Sequence, residues 1–175
     1  MKSRCTTGSS FAKCAHAYSI YKMTQQVKYY VYVDGASQGN PGESGIGAII
    51  CKGDDTIKNI SQYIGITTNN VAEYVALIYG LQEALIQNIR NININTDSEL
   101  LYRQLKGEYK VKDSTLKIFN AIAKHLLGGF EKSEINHISR EENKGADKLA
   151  TLAIEKRPVL LKGKRKSRQA RMTNC

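Results

Sequence analysis

Polar and apolar side chains alternate from Val27 to Asp34, with Val27, Tyr29, Val31 and Val33 set against Lys28, Tyr30, Tyr32 and Asp34. A period of two in β-branched and aromatic residues predicts a strand. A Gly-Asn-Pro-Gly turn at 39–42 follows, then an apolar run from Ile46 to Cys51. Gly53-Asp54-Asp55 turns the chain into a third strand over about Thr56 to Ile64. Turns this short predict an antiparallel meander. The period then changes. Asn69, read as a helix N-cap, opens a pattern in which Ala72, Val75, Ala76 and Tyr79 recur at helical spacing. Asn91 to Asp97 alternates as a short fourth strand, and helices are predicted over Ser98 to about Lys106 and over Ser114 to Leu127. After Gly128-Gly129, Phe130 to Ser139 reads as the fifth strand. A last helix, Glu142 to about Glu155, carries Ala146, Leu149, Ala150 and Ala153 on one face. Three antiparallel strands followed by alternating helices and strands predict an α/β domain, a five-stranded mixed sheet flanked by helices. No internal repeat is visible.

Composition adds little to this picture, and charge adds more. The 175 residues are 41% hydrophobic and 24% charged, as expected of one soluble domain, and a monomer is expected. No window approaches the roughly 18 apolar residues of a membrane span, so no membrane partner is expected. Cys5, Cys14, Cys51 and Cys175 are scattered and form no Cys-x-x-Cys pair. That argues against a zinc site or a disulfide framework and for a reduced, cytoplasmic compartment. The formal charge of +10 is uneven: residues 1–26 contribute +4, residues 156–175 contribute +8, and residues 27–155 carry −2. A folded domain over 27–155 with basic, disordered segments at 1–26 and 156–175 is the expectation, and its partner is a polyanion. The first segment lacks the apolar run of a secretory signal. It has the acid-poor composition of a transit peptide, and Met23 is an alternative start.

Four carboxylates sit where packing alone explains them badly. Asp34 and Asp97 end two strands that read as buried. Glu73 falls in a helical row with Leu77, Gly80, Leu81 and Ala84, and Asp147 lies in the first turns of the last helix. Each has a bland explanation, because Asp often terminates strands and favours helix N-termini. Together they do not: if the two strands are neighbours, the acids converge. Like charges about 4 Å apart cost roughly 4 kcal/mol per pair at an effective dielectric near 20. Cations resolve such a cluster, and hard oxygen donors select Mg²⁺ or Mn²⁺.

The residues around these acids resemble the type 1 ribonuclease H family. Asp34-Gly35-Ala36-Ser37-Gln38-Gly39-Asn40-Pro41-Gly42 is similar to its first motif and Thr67-Thr68-Asn69-Asn70-Val71-Ala72-Glu73 to its second. Thr96-Asp97-Ser98 is similar to the third, and Arg140-Glu141-Glu142-Asn143-Lys144-Gly145-Ala146-Asp147 to the fourth. The resemblance spans about residues 27–155. It implies a ribonuclease H-like fold and endonucleolytic hydrolysis of the RNA strand of an RNA–DNA hybrid, giving 3′-hydroxyl and 5′-phosphate ends. It also implies two Mg²⁺ ions, with Asp34 bridging them, Glu73, Asp97 and Asp147 completing their shells, and Glu73 near a ribose 2′-hydroxyl.

By the same resemblance, Asn40, Thr68, Asn69, Asn70, Ser98 and Glu99 are substrate contacts, although turns and helix caps also account for Asn40 and Asn69. The family often adds a helper histidine on a loop before the last carboxylate. Here His137 closes a strand, so Arg140 is the favoured helper and His137 its rival, while His16 and His125 are bystanders. The Trp-containing basic handle of the best-known bacterial pattern is missing, since the chain has no Trp and the handle region offers only Lys106, Lys110 and Lys112. The basic segment 156–175 is the candidate replacement. Proofreading exonucleases of this fold carry Asp-x-Glu in the first strand, but residue 36 is Ala. The alternatives are a non-catalytic hybrid- or RNA-binding module and a broader nuclease that also cuts double-stranded RNA.

Overall fold

A computed structural model describes residues 27–157; the expectations for 1–26 and 158–175 lie outside the described residues. The elements are β1 (Tyr29–Gly39), β2 (Gly42–Lys52), β3 (Asp55–Thr67), α1 (Asn69–Ile86), β4 (Asn91–Thr96), α2 (Glu99–Lys106), α3 (Ser114–Leu127), β5 (Lys132–His137) and α4 (Lys144–Glu155). They form a five-stranded sheet in the order β3-β2-β1-β4-β5. The first three strands pair antiparallel, whereas β4 runs parallel to both β1 and β5. This is the mixed sheet expected from the pattern.

Alternation along β1 decides which helix meets which face. Val31 and Val33 are fully buried, and a side chain added at Gly80 of α1 would strike both. With Ile46, Ile50, Leu77, Leu81, Ile92, Ile94 and Leu101, each almost completely buried, they form the main core. Each such side chain contributes about 1.5–3 kcal/mol. On the other face, α4 packs its small residues Ala146, Ala150 and Ala153 onto β2.

Several boundaries are corrected. Asp34 does not end its strand: β1 continues to Gly39, paired with β2 as far as Gly39↔Gly42. Only its pairing with β4 stops early, at Tyr32↔Asn95. Residues 35–38 are Gly, Ala, Ser and Gln, which have low strand propensity, so the neighbouring strand holds what local preference does not. Likewise β4 ends at Thr96, one residue before Asp97. The α1 cap is Thr68, whose Oγ1 accepts from the Val71 backbone N–H at 3.4 Å, so Asn69 is the first helical residue. Tyr79 is 41% exposed, because α1 is covered by the sheet on one side and α3 on another and its buried face is not a single stripe. Helix α4 begins at Lys144 rather than Glu142. The Glu142 carboxylate instead accepts from the Ser139 N–H and hydroxyl at 3.0 and 2.8 Å, closing the preceding turn.

Candidate active site

Parallel β1 and β4 point their carboxyl ends the same way, the usual place for a site in a sheet with parallel strands. Asp34 lies two residues past the last β1–β4 pair, and Asp97 directly follows β4. Two glycines bring the helices in. A Cβ on Gly35 would lie 2.2 Å from the backbone N of Glu73, so only glycine lets α1 approach β1 this closely. Gly47, paired with Asp34 across the β1–β2 ladder, does the same for α4, where a Cβ would lie 2.1 Å from the Ala146 carbonyl oxygen.

Asp34, Glu73, Asp97 and Asp147 line one cleft of about 390 Å³, together with Ser37, Asn69, Arg140 and Thr151. Three of the acids have side-chain partners. Glu73 accepts from Asn69 Nδ2 at 2.9 Å and from Ser98 Oγ at 2.6 Å. Asp97 accepts from Asn143 Nδ2 at 2.6 Å, and Asp147 from Arg140 Nη2 at 3.3 Å. Burial, then the charges of Asp97, Asp147 and Glu73, push the Asp34 carboxyl up to about 7. Burial and Asp97 also raise Glu73, against the lowering effect of the Ser98 hydroxyl. In these rotamers no three acidic, His or Cys side chains among the described residues surround a single point at ligand distance. The donor set nevertheless fits a hard divalent cation. Four carboxylates share a cleft whose lining contains no His or Cys, and the charge held off Asp34 is what a cation would relieve.

The family profile described as "Reverse transcriptase-like" matches residues 32–153. The chain is similar to ribonuclease HI of Halobacterium salinarum, 38% identical over 129 residues, 73% of this chain and 65% of that protein. It is also 32% identical over 151 residues to ribonuclease HI of Rickettsia prowazekii, covering 77% of this chain and 96% of that one. The chain belongs to the type 1 ribonuclease H family. A solved metagenomic ribonuclease H1 from compost, in complex with an RNA/DNA hybrid, superposes with a TM-score of 0.70 at 41% identity, covering 74% of this chain and 98% of the other. The chain thus spans less than two thirds of the halobacterial relative and nearly all of the rickettsial one.

Within the ribonuclease H frame, the residues anticipated from sequence separate into groups. The four carboxylates and Arg140 come together. Asn69 and Ser98 join them by holding Glu73, and Ser98 also caps α2, accepting from the Leu101 N–H at 3.2 Å. Asn40, Thr68 and Asn70 line an adjoining groove of about 380 Å³ with Pro41 and Asp113. Asn40 Oδ1 accepts from the Asn69 N–H at 3.3 Å across the two. Glu99 stands apart, paired with Arg103 at 2.8 Å on an exposed face of α2. His137 is outside the cleft lining, its Nε2 3.2 Å from the Asp97 carbonyl oxygen and its ring tilted against Tyr102. Asn143, in the fourth motif and placed by the sequence pattern inside the last helix, was not among the anticipated site residues. It is 1% exposed.

Proposed function

We propose that this chain is an endoribonuclease that hydrolyses the RNA strand of RNA–DNA hybrids, leaving 3′-hydroxyl and 5′-phosphate ends. The observation that carries the reading is the meeting of Asp34, Glu73, Asp97 and Asp147, from four separate segments, in one open cleft. Two Mg²⁺ ions, or Mn²⁺, would be held there by these carboxylates and would supply positive charge for phosphodiester hydrolysis. Asp34, central to the charge cluster, would hold them together with Glu73, Asp97 and Asp147. Glu73 and Asp97 arrive with their carboxylates already oriented by Ser98, Asn69 and Asn143, and Asp147 closes the set from α4.

Substrate is held by short polar groups that read sugar and phosphate rather than base sequence. Asn40, Thr68 and Asn70 face a strand in the adjoining groove, while Asn69 and Ser98 stand where a ribose hydroxyl meets Glu73. Glu99 joins them only by releasing Arg103. The relative solved with an RNA/DNA hybrid supports this substrate class. The protein acts as a monomer in the cytoplasm, where Cys51, a free thiol, stays reduced. Among the described residues no helix is long and apolar enough to cross a membrane.

The test uses end-labelled RNA–DNA hybrid, double-stranded RNA and double-stranded DNA, each with Mg²⁺, Mn²⁺ or EDTA. Cleavage of the hybrid's RNA strand with either ion and none with EDTA is expected. Cutting of double-stranded RNA as well would widen the substrate class. Ion-independent binding of hybrid without cleavage would replace the enzyme by a binding module.

A further inference from the structure

Among the described residues, one buried side-chain polar atom lacks a hydrogen-bond partner, and it is Asn143 Oδ1. The orientation of the amide explains why. Asn143 Nδ2 donates to the Val33 carbonyl oxygen at 3.0 Å and to Asp97 Oδ1 at 2.6 Å. Both partners are acceptors only, so turning the amide over would set its oxygen against a carbonyl and a carboxylate. The amide nitrogen therefore has to face them, and the oxygen is left without a donor. Buried polar atoms are rarely left so, and violations of this kind gather at functional sites.

The same residue touches the placement of three of the four acids. It fixes Asp97 directly. Through Val33 it grips the β1 backbone one residue before Asp34. Its own carbonyl oxygen accepts from the Asp147 backbone N–H at 3.1 Å, starting the first turn of α4. Glu73 alone is held by other residues, Asn69 and Ser98. We infer that Asn143 is a positioning residue that sets the mutual spacing of Asp34, Asp97 and Asp147 for divalent cation binding. It donates two hydrogen bonds from a fixed amide and does not touch substrate. This rests on the proposed reaction only for its effect on turnover; the effect on ion binding stands by itself.

The experiment compares wild type, Asn143→Ala and Asn120→Ala. Asn120 donates to the Tyr74 hydroxyl at 3.0 Å in the core between α1 and α3, so its loss disturbs the fold away from the cleft. Mn²⁺ affinity is measured calorimetrically without nucleic acid, melting temperature is followed in EDTA, and kcat and KM are measured on labelled hybrid. Loss of an outer hydrogen-bond partner typically weakens metal affinity or activity about 10–100-fold. Asn143→Ala should show a loss of that size in Mn²⁺ affinity and in kcat, with KM for hybrid within about 3-fold. Asn120→Ala should melt lower yet bind Mn²⁺ like wild type. A lower melting temperature in Asn143→Ala with unchanged Mn²⁺ affinity would make the residue merely structural and overturn the inference. Wild type that binds Mn²⁺ but leaves hybrid intact would refute the proposed reaction, and the ion titration would still decide the role of Asn143.

Discussion

Glu73 and Asp147 enter the same cleft from opposite faces of the sheet, and the structure treats them differently. Glu73 stands on a helix buried on two sides, with both carboxylate oxygens held by neutral donors, Asn69 and Ser98. Asp147 stands at the start of α4 with one side-chain partner, Arg140, at 3.3 Å. Their side chains are 37% exposed for Asp147 and 77% for Arg140. An exposed ion pair of this length contributes about 0–1 kcal/mol, so it orients Asp147 weakly. The inner side of the cleft, Asp34 and Glu73, is buried and electrostatically strained. The outer side, Asp147 with Arg140, can adjust to what binds. Burial where charge is concentrated and a loose ion pair at the mouth suit a site that binds ions and then releases a product.

The inner side makes the largest prediction. Asp34→Asn keeps the shape of the side chain and removes the central charge of the cluster. Cleavage of hybrid should fall by roughly three orders of magnitude or more, the scale of losing a group at the centre of a catalytic set. Stability should move the other way. In EDTA at pH 8 the variant should be more stable than wild type by on the order of 1–3 kcal/mol, because the cost of burying that charge and its repulsion from Asp97, Asp147 and Glu73 are gone. Denaturant titration of both proteins checks this. A variant less stable than wild type would mean that Asp34 is not strained, and retained cleavage would remove it from the mechanism.

A smaller effect of the same origin is graded with pH. The Asp34 carboxyl is raised from 3.8 to about 7 in the fold, so between those values the folded chain holds a proton that the unfolded chain has released. Its contribution to stability is therefore fully present below about pH 4, declines as pH rises, and is lost above about pH 7. The full span is at most about 4 kcal/mol. Glu73, raised as well, acts in the same direction. Unfolding free energy measured in EDTA should fall from pH 4 to pH 7.5, and Asp34→Asn should flatten most of that slope. With Mg²⁺ present the trend should weaken or reverse, since the ion binds the deprotonated carboxylates. A slope in EDTA that is unchanged by Asp34→Asn would place the strain elsewhere.

The inner side was also the more legible in sequence. Glu73 breaks an apolar helical row, and Asp34 and Asp97 stand at the ends of strands that read as buried, so all three can be picked out without coordinates. The sheet was legible for the same reason, down to its three-strand meander. Residues that act through geometry were not. Asn143 belongs to no hydrophobic period, and its importance lies in two acceptors, Val33 and Asp97, far away along the chain. The extension of β1 beyond Asp34 was hidden because Gly35 to Gln38 are poor strand formers held by β2. The close approaches at Gly35 and Gly47 set how near the two helices come, and nothing in a single sequence separates such glycines from those of turns.

The outer side makes the smallest prediction and separates two helpers. Arg140 lines the cleft and pairs with Asp147, whereas His137 lies behind the Asp97 backbone against Tyr102. If freedom at the mouth matters, Arg140→Ala should slow turnover by about 10-fold, the lower end for a group orienting a metal ligand. Stability should hardly change, because the ion pair is exposed. His137→Ala should leave kcat within about 2-fold, since surface substitutions that do not reach the cleft have small effects. Single-turnover and steady-state rates on the same hybrid locate the loss. A defect in the steady state alone assigns Arg140 to product release, and an equal defect in both assigns it to holding Asp147 during hydrolysis. The opposite ranking, with His137→Ala the slower enzyme, would require β5 and the turn after it to move so that the imidazole leaves Tyr102 and enters the cleft.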